Sequence, residues 1–144
     1  MITEELFIGE MNKLELLVEQ KDFTHDLYDI YYEYMKNLNP KFFLDGIKLM
    51  LIHEEYMKKL PSIATFLKWY KEVEIIFLVK FIKKLYFISQ DNGEKNEPKI
   101  DNEEISDFIK YIGGWEIFCK YNLEELNKKI KSHVDEKMIN MNIK

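Results

Sequence analysis

Apolar residues along this chain recur at three- and four-residue spacing, and none of its long segments alternates with period two. That spacing gathers them on one face of a helix. Thr3, with Glu4 and Glu5 behind it, reads as an N-cap followed by acids set against the positive end of a helix dipole. The first helix then carries a stripe of Phe7, Met11, Leu14 and Val18. A second is expected to begin near Thr24, with Leu27, Tyr31, Tyr34 and Leu38 on one face. Asn39-Pro40 is a restart, because asparagine caps and proline fits the first turn, where its missing N–H costs nothing. Phe43, Ile47, Met50 and Leu51 should face inward from the third helix. Pro61 opens the next, with Ile63, Phe66, Leu67 and Tyr70 at helical spacing. Residues 62–89 contain neither glycine nor proline, which fits one long helix or two joined near 69–73.

The pattern lapses at 90–99, a polar stretch with turn formers and no apolar anchor, which reads as a linker. Beyond it, Asp101 and Glu104 have capping-box spacing, and Ile105, Phe108, Ile109 and Ile112 form a stripe. Gly113-Gly114 stops that helix: Gly113 offers the left-handed conformation, and Gly114 lets Trp115 fold back as a packing anchor over Phe108, Ile109 or Ile112. Asn122 and Glu125 make a second capping box, for a last helix carrying Leu126, Ile130, Val134 and Met138. The fold class is therefore all-α, a compact multi-helix bundle with a short helical C-terminal lobe. Its expected organisation is a helical domain over 1–89, a linker over 90–100 and a helical module over 101–144.

Composition narrows the function classes. The 144 residues are 47% hydrophobic and 15% aromatic, enough to bury a core. A net charge of -5 argues against general nucleic-acid binding. Every one of the 21 basic residues is a lysine, so neither an arginine finger nor a bidentate guanidinium fork is available. The single cysteine, Cys119, fits a reducing compartment, and a cytoplasmic location is expected. The longest apolar run, residues 75–79, is too short to span a membrane, and the N-terminus does not read as a secretory signal.

Candidate chemistry is sparse. His25, His53 and His133 are far apart, and none has a second histidine at i+3 or i+4, so no metal site or cofactor is expected. Cys119 has a lysine neighbour that could activate it, but its aromatic setting suits a small buried thiol. No Gly-Lys-Ser/Thr phosphate loop exists, which excludes an ATPase of that type. No nucleophile, base and orienter share a spacing, so the chain is read as a non-enzyme. Residues 61–67 resemble the start of a helix-turn-helix, but no glycine turn follows, and 71–76 are apolar and acidic. Lys80, Lys83 and Lys84 share one side of a helix beside Phe81 and Tyr86, a cationic face suited to phosphate or an acidic protein. A solvated face is the plainer account of the same lysines.

Two segments resemble known proteins. Tyr31 to Lys71 contains Asn39-Pro40, Gly46 and then Lys59-Leu60-Pro61-Ser62-Ile63-Ala64-Thr65-Phe66-Leu67. It resembles the helical N-terminal domain of the phage replicative-helicase loader and inhibitor family, with Pro61, Ile63 and Phe66 in the motif. Gly46 stands where that family usually has alanine, Tyr28 or Tyr31 where it has tryptophan, and Ser62 where a second proline is common. Asp101 to Phe118, with Gly113-Gly114-Trp115, is similar to a C-terminal module of phage and prophage proteins. The resemblance implies a DNA-replication accessory protein that binds a hexameric replicative helicase and loads or inhibits it. An origin-binding protein would be a possible further partner. In that family the C-terminal part is flexible and binds the helicase, whereas the matching end here reads as ordered. The surface does not transfer by position, and Lys80, Lys83 and Lys84 are the expected contact. The rival classes are a DNA-binding regulator and a phage interaction protein of another role.

Overall fold

A computed structural model describes residues 1–19, 25–53 and 59–143, and among them every regular element is a helix. In chain order these are α1 (Glu4–Glu15), α2 (His25–Met35), α3 (Pro40–His53), α4 (Ile63–Asn92), α5 (Glu103–Tyr111), the single turn α6 (Trp115–Phe118) and α7 (Leu123–Ile143). The chain divides into two compact units, Met1–Val73 with Met141–Lys144, and Glu74–Asn140. The division falls within α4, whereas the sequence suggested a boundary over 90–100. Residues 90–92 complete α4, and the Trp115 indole N–H donates to the Gly93 carbonyl at 3.4 Å, so the polar stretch is tied to the helices after it.

The caps explain most of the helix starts. The Thr3 hydroxyl accepts from the Leu6 N–H at 3.2 Å, and the Asn39 side chain accepts from Lys41 and Phe42. Ser62 takes the same role for α4 through the Thr65 N–H. At α7 the reciprocal box is complete: Glu125 N–H donates to Asn122 Oδ1 at 2.8 Å, and Asn122 N–H to Glu125 Oε1 at 3.2 Å. At α5 the cap is Asn102, one residue after the expected Asp101, because its side chain is the one that reaches the Ile105 N–H. The expected start of α2 at Thr24 lies outside the described residues.

In the first unit, Phe7, Met11 and Leu14 of α1 are buried, with Phe7 packed on Tyr32 and Phe43. The inward face of α2 is Tyr28, Tyr31 and Met35, continued by Leu38. Tyr34 points outward and Leu27 is half-buried, which corrects the expected stripe by part of a turn. On α3 the buried residues are Phe42, Phe43, Gly46, Ile47 and Met50, while Leu51 is exposed. Buried tyrosines tie the elements together: Tyr31 donates to the Pro61 carbonyl at 3.0 Å, and Tyr70 accepts from the Asn39 N–H at 3.1 Å. Gly46 lies against the α4 backbone, where an added Cβ would be 3.1 Å from Tyr70 N.

In the second unit, Leu78 and Ile82 of α4 are fully buried, as are Phe108, Phe118, Leu126, Ile130 and Val134. The α5 helix ends in a Schellman motif, with Gly114 N–H donating to Ile109 O at 2.9 Å and Gly113 N–H to Lys110 O at 3.1 Å. Both glycines have positive φ, 109° and 103°, which a side chain would strain. Trp115 then starts α6, 5% exposed, stacked on Phe118 at 5.1 Å. Among the described residues no helix is long and apolar enough to cross a membrane.

Candidate functional site

Helix α4 is one unbroken 30-residue helix, which settles the alternative left open over 62–89. It also removes the turn that a helix-turn-helix beginning at 61–67 requires. On its second half, Lys80, Lys83 and Lys84 are all exposed. Ile76 and Phe87 are exposed too, at 57% and 54%, and with Lys80 and Lys83 they recur at i, i+4, i+7 and i+11. They therefore form one stripe along the helix, lysines in the middle and a large apolar side chain at each end.

One of the lysine heads stands over an aromatic pair. Phe77 and Phe81, both half-buried, pack with ring centroids 4.7 Å apart, and Lys84 Nζ lies 5.0 Å from the Phe81 centroid. A lysine so placed is held by ring quadrupole and apolar contact while its charge stays in water. Phe87 meets Tyr86 edge to face at 5.5 Å. The arrangement can bind anionic groups and apolar side chains together. Sequence reasoning found the lysines but missed Ile76 and Phe87. For Ile76 the signal was present, since 75–79 are apolar all round the helix and one such residue must face out.

The remaining sequence candidates are structural in their surroundings. Pro61 accepts from Tyr31, Phe66 is 4% exposed against the edge of Tyr31, and Ile63 is half-buried. Gly113 and Gly114 close α5, and Trp115 packs inside, on Phe118 and against Gly93. The Cys119 thiol is pushed up from its ordinary pKa by burial, then by Glu94 and Glu97, which disfavours the thiolate a nucleophile needs. His53 stacks on Trp69 at 5.0 Å. His133 is buried beside Phe108 and Tyr111, and burial lowers its pKa to about 4, with Lys137 adding to the effect. Among the described residues, no three or more His, Cys, Asp or Glu side chains come together as metal ligands.

One cleft, of about 210 Å³, is lined by Ile8, Asn12, Asp26, Tyr28 and Asp29. Tyr28 donates its hydroxyl to Glu15, and burial together with that carboxylate pushes its pKa up, so the phenol stays protonated. The cleft thus presents carboxylates and an amide. Compared with protein-family models, curated proteins and solved structures, the chain finds no match.

Proposed function

We propose that this chain acts by binding another protein, with no chemistry of its own, and that its partner is a hexameric replicative helicase held inactive until delivery at an origin. The observation that carries the reading is the exposed stripe of Ile76, Lys80, Lys83, Lys84 and Phe87 on α4. Exposed apolar side chains interleaved with charge are a feature of protein-binding surfaces, where apolar contact holds and charge steers encounter. The helicase comes from the resemblance at 31–71, and an origin-binding protein would be a secondary partner. The net charge of -5 makes a bare phosphate backbone a poor alternative.

The test is to mix the purified chain with a bacterial hexameric replicative helicase, with and without ATP, and to follow complex formation and unwinding. A complex at micromolar concentration in at least one nucleotide state, with slowed unwinding, is the expected result. No complex in either state, together with tight sequence-specific duplex binding, would move the protein to the regulator class.

A further inference from the structure

Resting on that protein-binding reading, we infer that the α4 stripe receives one particular kind of segment: an acidic amphipathic helix of the partner, laid along α4. Ile76 and Phe87 are eleven positions apart, about 16 Å at the helical rise, or three turns. A docked helix contacts its site over a similar length, through residues at i, i+4, i+7 and i+11. The stripe supplies the complementary set, with apolar ends for two apolar anchors and three lysines for carboxylates between them.

The charge pattern along α4 selects against the other anionic occupants. Glu72 and Asp91 are exposed beyond the two apolar ends, so the positive segment is short and bounded by acids. A lipid headgroup plane or a nucleic-acid backbone would extend past both ends and meet those carboxylates. A three-turn acidic helix would not. Among the described residues, none of the three lysines forms an ion pair, unlike Lys13, Lys36 and Lys128, which pair with glutamates about one turn away. The exposed Phe87 and Ile76 also have no counterpart on a phosphate backbone, whereas an apolar helix face buries them.

Binding is measured with the full chain and a stapled helical peptide carrying leucine and glutamate at the spacing of the stripe. A scrambled peptide of equal composition, phosphatidylglycerol–phosphatidylcholine vesicles, a short DNA duplex and the chain's own sedimentation serve as comparisons. The patterned peptide should bind at micromolar concentration, at least about tenfold tighter than the scrambled one, and more weakly as salt rises. K80E/K83E/K84E and I76S/F87S should each weaken it by about tenfold or more, with helical content unchanged by circular dichroism. The inference is overturned if the two peptides bind alike, if neither binds, or if vesicles, duplex or a second copy bind instead through the same residues. Helicase binding by the same variants separates the two readings. A helicase complex that both variants leave intact retains the function and removes this face. Peptide binding without a helicase complex retains the face and removes the named partner.

Discussion

Lys137 Nζ on α7 lies 2.6 Å from Glu74 Oε1 on α4, joining a carboxylate that is only 1% exposed to an ammonium whose side chain is 29% exposed. Among the described residues the other carboxylate oxygen, Oε2, is buried without a hydrogen-bond partner, so Lys137 is the main compensation for a charge placed inside the second unit. Removing one member of such a pair is costly because the other stays buried and charged. Lys137→Met should therefore lower unfolding free energy by about 3 kcal/mol, whereas Glu74→Leu combined with Lys137→Met should recover most of that loss. Urea titration of the single and double variants measures both. Equal losses in the two would mean that the pair is not what holds Glu74.

The local pattern carried most of the helices and little of this pair. The α5 stripe stood out because apolar and charged residues are cleanly segregated there, the α7 stripe because Leu126, Ile130, Val134 and Met138 recur at a strict four-residue spacing, and each stripe residue is buried. Helix α2 was harder: tyrosine has an apolar body and a polar tip, so Tyr28, Tyr31, Tyr32 and Tyr34 give no sharp periodic signal. Tyr28 and Tyr31 go in and Tyr34 out. Glu74 lies at i-4 from Leu78 and i-8 from Ile82, on the buried stripe, where an acid usually marks a surface. Its partner is 63 residues away, and no helical period links them. The candidate face was half legible for the same reason. Lysine spacing is local, but which apolar residues of 75–79 face out depends on what α4 packs against.

Trp115 is the anchor of the α5–α6 turn. It is 5% exposed, stacked on Phe118, and its N–H reaches Gly93. Trp115→Ala should cost about 3–5 kcal/mol, the range for deleting a large buried aromatic side chain. Trp115→Phe should cost clearly less, because it keeps the stack and gives up only the N–H contact and part of the ring. Denaturant unfolding of both variants reads this, and a loss under about 0.5 kcal/mol for the alanine variant would place the ring outside the packing.

Gly46 sits where α3 meets the α4 backbone. A Cβ there would be 3.1 Å from Tyr70 N, 3.2 Å from Tyr70 Cα and 3.3 Å from Trp69 C. Alanine gains about 1 kcal/mol of helix propensity over glycine. The atoms it would crowd belong to backbone and cannot rotate away, so the two helices must separate slightly and loosen the packing of Phe42 on Tyr70. Gly46→Ala is expected to be destabilising by about 1 kcal/mol net, and Gly46→Leu by about 3 kcal/mol or more, as in overpacked cores. Thermal unfolding distinguishes this from an open glycine, at which alanine would raise Tm.

His133 should make stability depend on pH. It is 5% exposed, its Nε2 is buried without a hydrogen-bond partner among the described residues, and its pKa falls from 6.5 to about 4. Burial is the largest cause. Lys137, one turn along α7, also lowers it, and Asp107 on α5 opposes the shift, while the uncharged Phe108 and Tyr111 rings pack against the imidazole. Between pH 6.5 and 4 the unfolded chain binds a proton that the folded chain does not, so stability falls as pH falls. The contribution is complete above 6.5 and exhausted below 4, and its slope cannot exceed about 1.4 kcal/mol per pH unit for one proton. His133→Phe removes the titrating group and keeps a ring against Phe108 and Tyr111. Carboxylates shared by both proteins cancel when the variant's unfolding free energy is subtracted from that of the natural chain. That difference should move in favour of the variant by on the order of 2–3 kcal/mol as pH drops through this window. A difference that stays constant from pH 7 to 4 would mean that His133 titrates alike in the folded and unfolded chain.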